Sequence, residues 1–194
     1  ETHVRTRASC AACTIGCEHI FQLSSNLPAT TEPDPSALGR EETANGNDGV
    51  RLEYENLFAL GPLCGISDPD TVLRASRLCN ELGLDTISAG GTIAFAMECA
   101  ERDLINEPSL KFGDADALLT TLQKIGAREG IGELLSLGSR AAAKQIGQGS
   151  AAFAPHVKGL EIPGYEPRAL QTMALGFAVG TRGADHNRSG AYQV

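Results

Sequence analysis

Residues 68–83 read DPDTVLRASRLCNELG, a stretch that carries both the start and the stop signal of a helix. The Asp68 carboxylate can accept from backbone N–H groups that a first helical turn leaves without partners. Pro69 suits the first helical position, where no N–H is needed. Val72, Leu73, Ser76, Leu78, Cys79 and Leu82 then recur at near-helical spacing, which marks one face for burial. Gly83 supplies the stop, because glycine enters the left-handed conformation of a helix end without steric cost.

Outward from this stretch the pattern stays mostly helical, with further helices predicted over residues 92–103 (TIAFAMECAERD), 114–127, 131–146 and 167–180. Residues 157–165 (VKGLEIPGY) differ: a short apolar run beside paired turn residues predicts an extended segment crossing between two helical units. A boundary near Pro155 follows, with one helical domain over residues 1–155 and the start of a second over 156–194. The fold class is mainly α, with a few short strands. Residues 27–50 are rich in Pro, Gly, Asn and acids and lack apolar periodicity, which reads as a long surface loop, mobile around residues 32–48. Nothing repeats at a fixed period, so a solenoid is not indicated.

Composition narrows the function. With 194 residues and 42% of them hydrophobic, the chain can bury a real core. Aromatic residues reach only 5% and Trp is absent, so helices are expected to pack closely through small side chains. A net charge of −8 argues against nucleic acid, whose phosphates call for a basic surface. No apolar run approaches the roughly 20 residues of a membrane-spanning helix, and residues 1–7 have no signal-peptide character. A cytoplasmic location without membrane contact is therefore expected. The sequence opens almost directly on its most informative motif, with no initiator Met. Residues 190–194 carry no helix stop, so a piece of a longer protein is expected.

That motif is Cys10-x2-Cys13-x3-Cys17, which crowds three of the six cysteines into eight residues. Without an export signal, metal binding accounts for it better than disulfides do. Soft thiolates select zinc, copper or iron–sulfur clusters. A structural zinc site would use paired cysteines, and His19 stands too close to Cys17 to replace one comfortably. Radical enzymes that use S-adenosylmethionine space their cysteines in the opposite order, and bacterial ferredoxins continue to a fourth Cys followed by Pro. The remaining reading is a three-plus-one cluster site whose last thiolate comes from far along the chain. Cys64, Cys79 and Cys99 each lie in an apolar context and read as small core residues.

Near the other end, residues 179–190 (VGTRGADHNRSG) use three glycines to bring backbone close to something, while Arg182, Asp185, His186 and Arg188 crowd polar chemistry onto one loop. Together with residues 52–55 (LEYE), 80–99 (NELGLDTISAGGTIAFAMEC) and 158–168 (KGLEIPGYEPR), these pieces resemble the aldehyde:ferredoxin oxidoreductase family and occur in its order. The resemblance covers nearly the whole chain apart from residues 27–50.

The resemblance implies a tungsten (or molybdenum) bis-pterin beside a four-iron four-sulfur cluster, and allows magnesium at the pterin. Cys10, Cys13 and Cys17 would supply three cluster ligands, the fourth lying beyond residue 194. The family's pterin motif, Asp-x-x-Gly-Leu-Asp, falls on residues 80–85, which assigns cofactor contacts to Asn80, Gly83, Leu84 and Asp85. Asn80 departs from the family's Asp, weakening one polar contact while leaving the turn intact. The loop's Arg182, Asp185 and Arg188 are placed at the cofactor in the same way. Near the metal the family uses a glutamate and a histidine, which match Glu53 or Glu55, and His186. The implied activity is oxidation of a small aldehyde to its acid, with electrons leaving through the cluster to ferredoxin or another low-potential carrier. A homo-oligomer or separate electron-transfer subunits fit the same picture. Alone, a segment with one pterin cradle and three of four thiolates is expected to hold neither cofactor and to be inactive. Two other readings stand beside this one: a tungsten-dependent reductase of aromatic acyl thioesters, which shares these motifs, and a non-catalytic metal-binding fragment.

Overall fold

The computed structural model describes residues 5–8, 16–22 and 49–189. Strands β1 (Arg5–Ala8), β2 (Glu18–Gln22) and β3 (Gly49–Leu52) form an antiparallel sheet in the order β1-β2-β3, with Arg7 opposite His19 and His19 opposite Leu52. Alternation along β3 turns Val50 and Leu52 into the core, while Arg51 reaches the buried Glu18 carboxylate as an ion pair. The surface loop expected over residues 27–50 therefore ends earlier than its composition suggests, because Gly49 and Val50 already pair with β2. The rest of that stretch lies outside the described residues.

Helices follow: α1 (Tyr54–Leu60), α2 (Pro69–Leu82), α3 (Thr86–Glu101), α4 (Ala115–Ala127), α5 (Ile131–Leu135) and α6 (Ser139–Ile146). Residues 68–83 form the expected helix, with Leu82 exposed rather than on the buried face: Asp68 Oδ2 accepts from Thr71 N–H at 2.9 Å, and Gly83 closes α2 at φ 67°. Helix α3 is central, with residues 89–97 and Cys99 buried all round. Small residues let it approach its neighbours. A Cβ on Gly90 would stand only 2.3 Å from the Ala59 carbonyl oxygen, so the backbones of α1 and α3 nearly touch.

Two predicted helices change extent. The one expected from residue 92 begins at Thr86, because Asp85 Oδ1 accepts from Ser88 N–H at 2.7 Å and caps it there. The one expected over residues 131–146 breaks at Gly138, whose φ of 81° is not helical and whose position lies 3.1 Å (as a Cβ) from the Glu161 carboxylate.

Beyond a 3-10 turn at Ser150–Ala152, residues 157–165 do not simply cross. Strands β4 (His156–Val157) and β5 (Leu160–Glu161) pair antiparallel around Lys158 and Gly159, both at positive φ (58° and 95°), which is the two-residue hairpin turn whose twist matches its strands. Helix α7 (Gln171–Val179) starts later than residue 167, since Glu166 takes the Arg168 N–H and guanidinium and holds a turn in front of it. A four-residue helix, α8 (His186–Ser189), ends the described chain. Met173, Phe177 and Ala184 form a small second core, flanked by Val157, Ile162, Tyr165 and Leu170.

Candidate functional site

The antiparallel register fixes where the site can form. Strand β2 begins at Glu18 and β3 ends at Leu52, so the segment carrying the cysteine motif and the start of α1 leave the same end of the sheet. Cys10 and Cys13 lie outside the described residues. Cys17 is an exposed thiol, set by Gly16 at φ 56° and by the Arg7 guanidinium, which donates to the Gly16 carbonyl at 2.8 Å. The other three cysteines behave as core residues. Burial pushes the thiols of Cys64 and Cys79 up to about 12 and that of Cys99 to about 11, which keeps them protonated and inert.

The two candidate glutamates separate. Glu53 is the N-cap of α1, and its N–H donates to Asn56 Oδ1 at 2.6 Å. Glu55, one helical step further, is 4% exposed and turns toward the C-terminal unit. Its Oε2 accepts the Gly164 N–H at 2.9 Å, and its Oε1, with no hydrogen-bond partner among the described residues, stands 3.8 Å from His186 Nε2. Burial raises the Glu55 carboxyl above its ordinary range. The Gly164 N–H and His186 counter this, and the charges of Glu53 and Asp85 add to it. A carboxyl and an imidazole thus share a dry corner between two helical units.

Three residues to which the sequence reading gave no role complete that corner. The Tyr54 hydroxyl donates to the Gly164 carbonyl at 2.6 Å, and the Tyr165 ring lies 5.6 Å from that of Tyr54 and 5.3 Å from that of His186. Gly164 is pressed against the Tyr54 ring, where a Cβ would come within 2.9 Å of it. The signal available in sequence was the Pro163-Gly164 step, a turn pair with no polar side chain of its own.

Of the cofactor candidates, Gly83 and Leu84 form the α2–α3 turn with Asn80 exposed at its start, and Asp85 caps α3 within electrostatic reach of Glu55. Arg182, Asp185 and Arg188 come together separately. Asp185 Oδ2 lies 3.2 Å from Arg182 Nη1 and 3.5 Å from Arg188 Nε, and all three line a cavity of about 300 Å³ with Gly176, Val179, Gly180, Thr181 and Gly183.

Among the described residues no three His, Cys, Asp or Glu side chains gather to hold a metal ion, and three features are compatible with a metal-pterin. Cys17 offers a free thiol, Glu55 keeps an unpartnered buried oxygen beside an imidazole, and two guanidiniums border an open cavity suited to anionic groups. No described helix is long and apolar enough to cross a membrane.

Comparisons with known proteins identify the family. The family described as "Aldehyde ferredoxin oxidoreductase, domains 2 & 3" matches residues 1–194. A tungsten-containing aldehyde ferredoxin oxidoreductase of Pyrococcus furiosus is 36% identical over 183 residues, covering 91% of this chain and 27% of that protein. The aliphatic sulfonate oxidoreductase WOR-like subunit of the same organism is 33% identical over 149 residues, covering 72% of this chain and 24% of that one. Among solved structures, the active site complex BamBC of benzoyl coenzyme A reductase with 1,5-dienoyl-CoA superposes with a TM-score of 0.66 at 25% identity, over 92% of this chain and 25% of that one. The chain thus spans about a quarter of the length of the relatives it matches.

Proposed function

Because the chain belongs to the aldehyde ferredoxin oxidoreductase family, we propose that it forms the part of a tungsten-pterin enzyme that oxidises a small aldehyde to its carboxylic acid. A bound metal-pterin would supply two-electron chemistry, and a four-iron cluster would supply single-electron transfer toward ferredoxin or a similar low-potential carrier. Oxidation of an aldehyde with water releases two electrons and two protons, so the protein must hold and move protons.

The observation that carries this reading is the Glu55–His186 pair, one of whose carboxylate oxygens is buried without a hydrogen bond. Its raised proton affinity brings Glu55 closer to neutrality, where a carboxylate can take a proton from water or substrate and release it again. Gly164 N–H fixes the other oxygen, so the free one keeps a single direction, and Tyr165 excludes water from the face of His186. Cys10, Cys13 and Cys17 would hold the cluster, and residues 80–85 with Arg182, Asp185 and Arg188 the pterin.

In the cofactor-loaded enzyme, Glu55→Gln and His186→Asn should each lower turnover by about 10²–10⁴-fold with tungsten and iron content unchanged. Glu53→Gln should leave turnover close to wild type, and full activity in Glu55→Gln would refute the reading. Cys17→Ser should remove iron and sulfide, whereas Cys64→Ser should not.

A second reading is reduction of an aromatic acyl thioester. It is favoured by the likeness to the benzoyl coenzyme A reductase complex and by the Tyr54–Tyr165 pair, whose faces beside His186 suit a planar ring. Assay of both substrate classes on one preparation separates the two.

A further inference from the structure

His186 sits on a four-residue helix that follows a glycine-rich turn, so its reach to Glu55 depends on how that turn is held. Something else must hold it. Helix α7, which leads into the turn, has no basic residue in its own last turn to satisfy its terminal carbonyls. Lys158, at the tip of the β4–β5 hairpin, does this from outside. Its ammonium donates to the Ala178 carbonyl at 2.8 Å and to the Gly180 carbonyl at 2.7 Å. The same hairpin meets the turn a second time. Gly183 lies so close to it that a Cβ would stand 2.0 Å from the Val157 carbonyl oxygen, and its φ of 73° already favours glycine. Asp185 N–H then donates to the Gly183 carbonyl at 2.8 Å, one residue before His186.

The other end of the hairpin is anchored in the main core. Glu161 is 3% exposed, and its Oε1 accepts Ser139 N–H and Ser139 Oγ–H, each at 2.8 Å, with Thr92 Oγ1 at 3.4 Å. A continuous path therefore runs from α3 and α6 through Glu161, along the two short strands, to Lys158 and on to the backbone that carries His186.

We propose that the β4–β5 hairpin is the gauge that sets His186 against Glu55, with Lys158 as its positioning residue. The proposal rests on the reading of Glu55 and His186 as a working pair. Lys158 touches neither substrate nor cofactor; it acts by holding the Ala178–Gly180 backbone in place. Removing its ammonium frees one end of the turn, and His186 withdraws from the carboxylate.

The test combines two readouts on Lys158→Met, which keeps most of the aliphatic stem, and Lys158→Arg, which keeps the donors. In the folded protein, carboxyl ¹³C titration of Glu55 reports whether His186 still faces it, since the imidazole opposes the rise in that carboxyl's proton affinity. Lys158→Met should move the Glu55 midpoint upward, as His186→Asn does, and the double variant should move it no further than His186→Asn alone. Lys158→Arg should return it toward wild type. In the loaded enzyme Lys158→Met should lower kcat about tenfold with little change in KM, as expected for a small displacement of a reacting group. A Glu55 midpoint unmoved by Lys158→Met would overturn the proposal, whatever the turnover. If instead Glu55→Gln kept full turnover, the catalytic reading of the pair would fall, while the carboxyl titration would still decide what Lys158 positions.

Discussion

The main helical core and the unit from residue 156 onward are held together in different ways. In the first, Phe95, Ile93, Leu118 and Leu122 are buried without remainder in one continuous apolar cluster that runs from Val50 to Ala143. In the second, three buried side chains, Met173, Phe177 and Ala184, carry the core, and single polar contacts do the rest: Gly164 with Glu55 and Tyr54, Lys158 with Ala178 and Gly180. The first arrangement resists displacement because any movement opens a void. The second can be shifted by changing one atom, and it is the one that carries His186. Stability and alignment are thus lodged in different halves of the site.

The sharpest attempt to break that contrast uses two buried phenylalanines. Phe95→Ala should cost about 3–5 kcal/mol in the global denaturant transition, through lost burial and the cavity left behind. Phe177→Ala should barely move that transition. It should instead open residues 157–189 locally, seen as faster amide exchange there with the α3 amides still protected. Equal global losses would show that the two units unfold as one.

A smaller effect is expected at the hinge between α2 and α3. Asp85→Ala removes the α3 cap and should cost about 1 kcal/mol, read by urea unfolding. If Asp85 also contacts the pterin, the same change should lower cofactor content in the loaded enzyme beyond what loss of the α4 cap in Asp114→Ala produces.

Smaller again is the pH dependence set by Glu55. Its carboxyl is raised in the folded chain, chiefly by burial, so the folded state holds a proton that the unfolded state has released once the pH exceeds the ordinary value of 4.5. The contribution is fully present below that value and is lost as pH rises through the folded midpoint. Glu55→Gln, which can still accept from Gly164 N–H, should therefore match wild type near pH 4 and become the more stable of the two by pH 8. Parallel stability curves in urea would contradict this.

The smallest change is expected at the surface. Arg168 holds the Glu166 carboxyl down to about 2, yet both side chains are exposed and solvent screens the pair. Arg168→Ala should return Glu166 toward the usual carboxylate range with no measurable shift in Tm.

Much of the first unit was legible because its signals are local. Asp68 and Asp114 cap helices whose starts were read from sequence, whereas the Asp85 cap was missed; the apolar spacing after Asp68 names the buried face except at Leu82, which is exposed. The break at Gly138 was not legible, since it depends on Glu161 reaching Ser139 from 22 residues further along the chain. The strands β1 and β2 escaped for a related reason: their pairing needs partners across a long intervening segment, and four or five residues give little periodicity. In the site, the residue types at Glu53, Glu55 and His186 pointed to the chemistry. Only the fold distinguishes a glutamate that caps a helix from one that faces the imidazole, and only the fold reveals Gly164, whose backbone does the work.

The near-contact of Gly90 with Ala59 limits how this chain can be diversified. Any side chain at position 90 would lever α1 away from α3 and carry Glu55 with it, so the spacing of these two helices is not adjustable by substitution along the seam. Libraries that leave positions 59 and 90 untouched should retain far more folded members than those that randomise them.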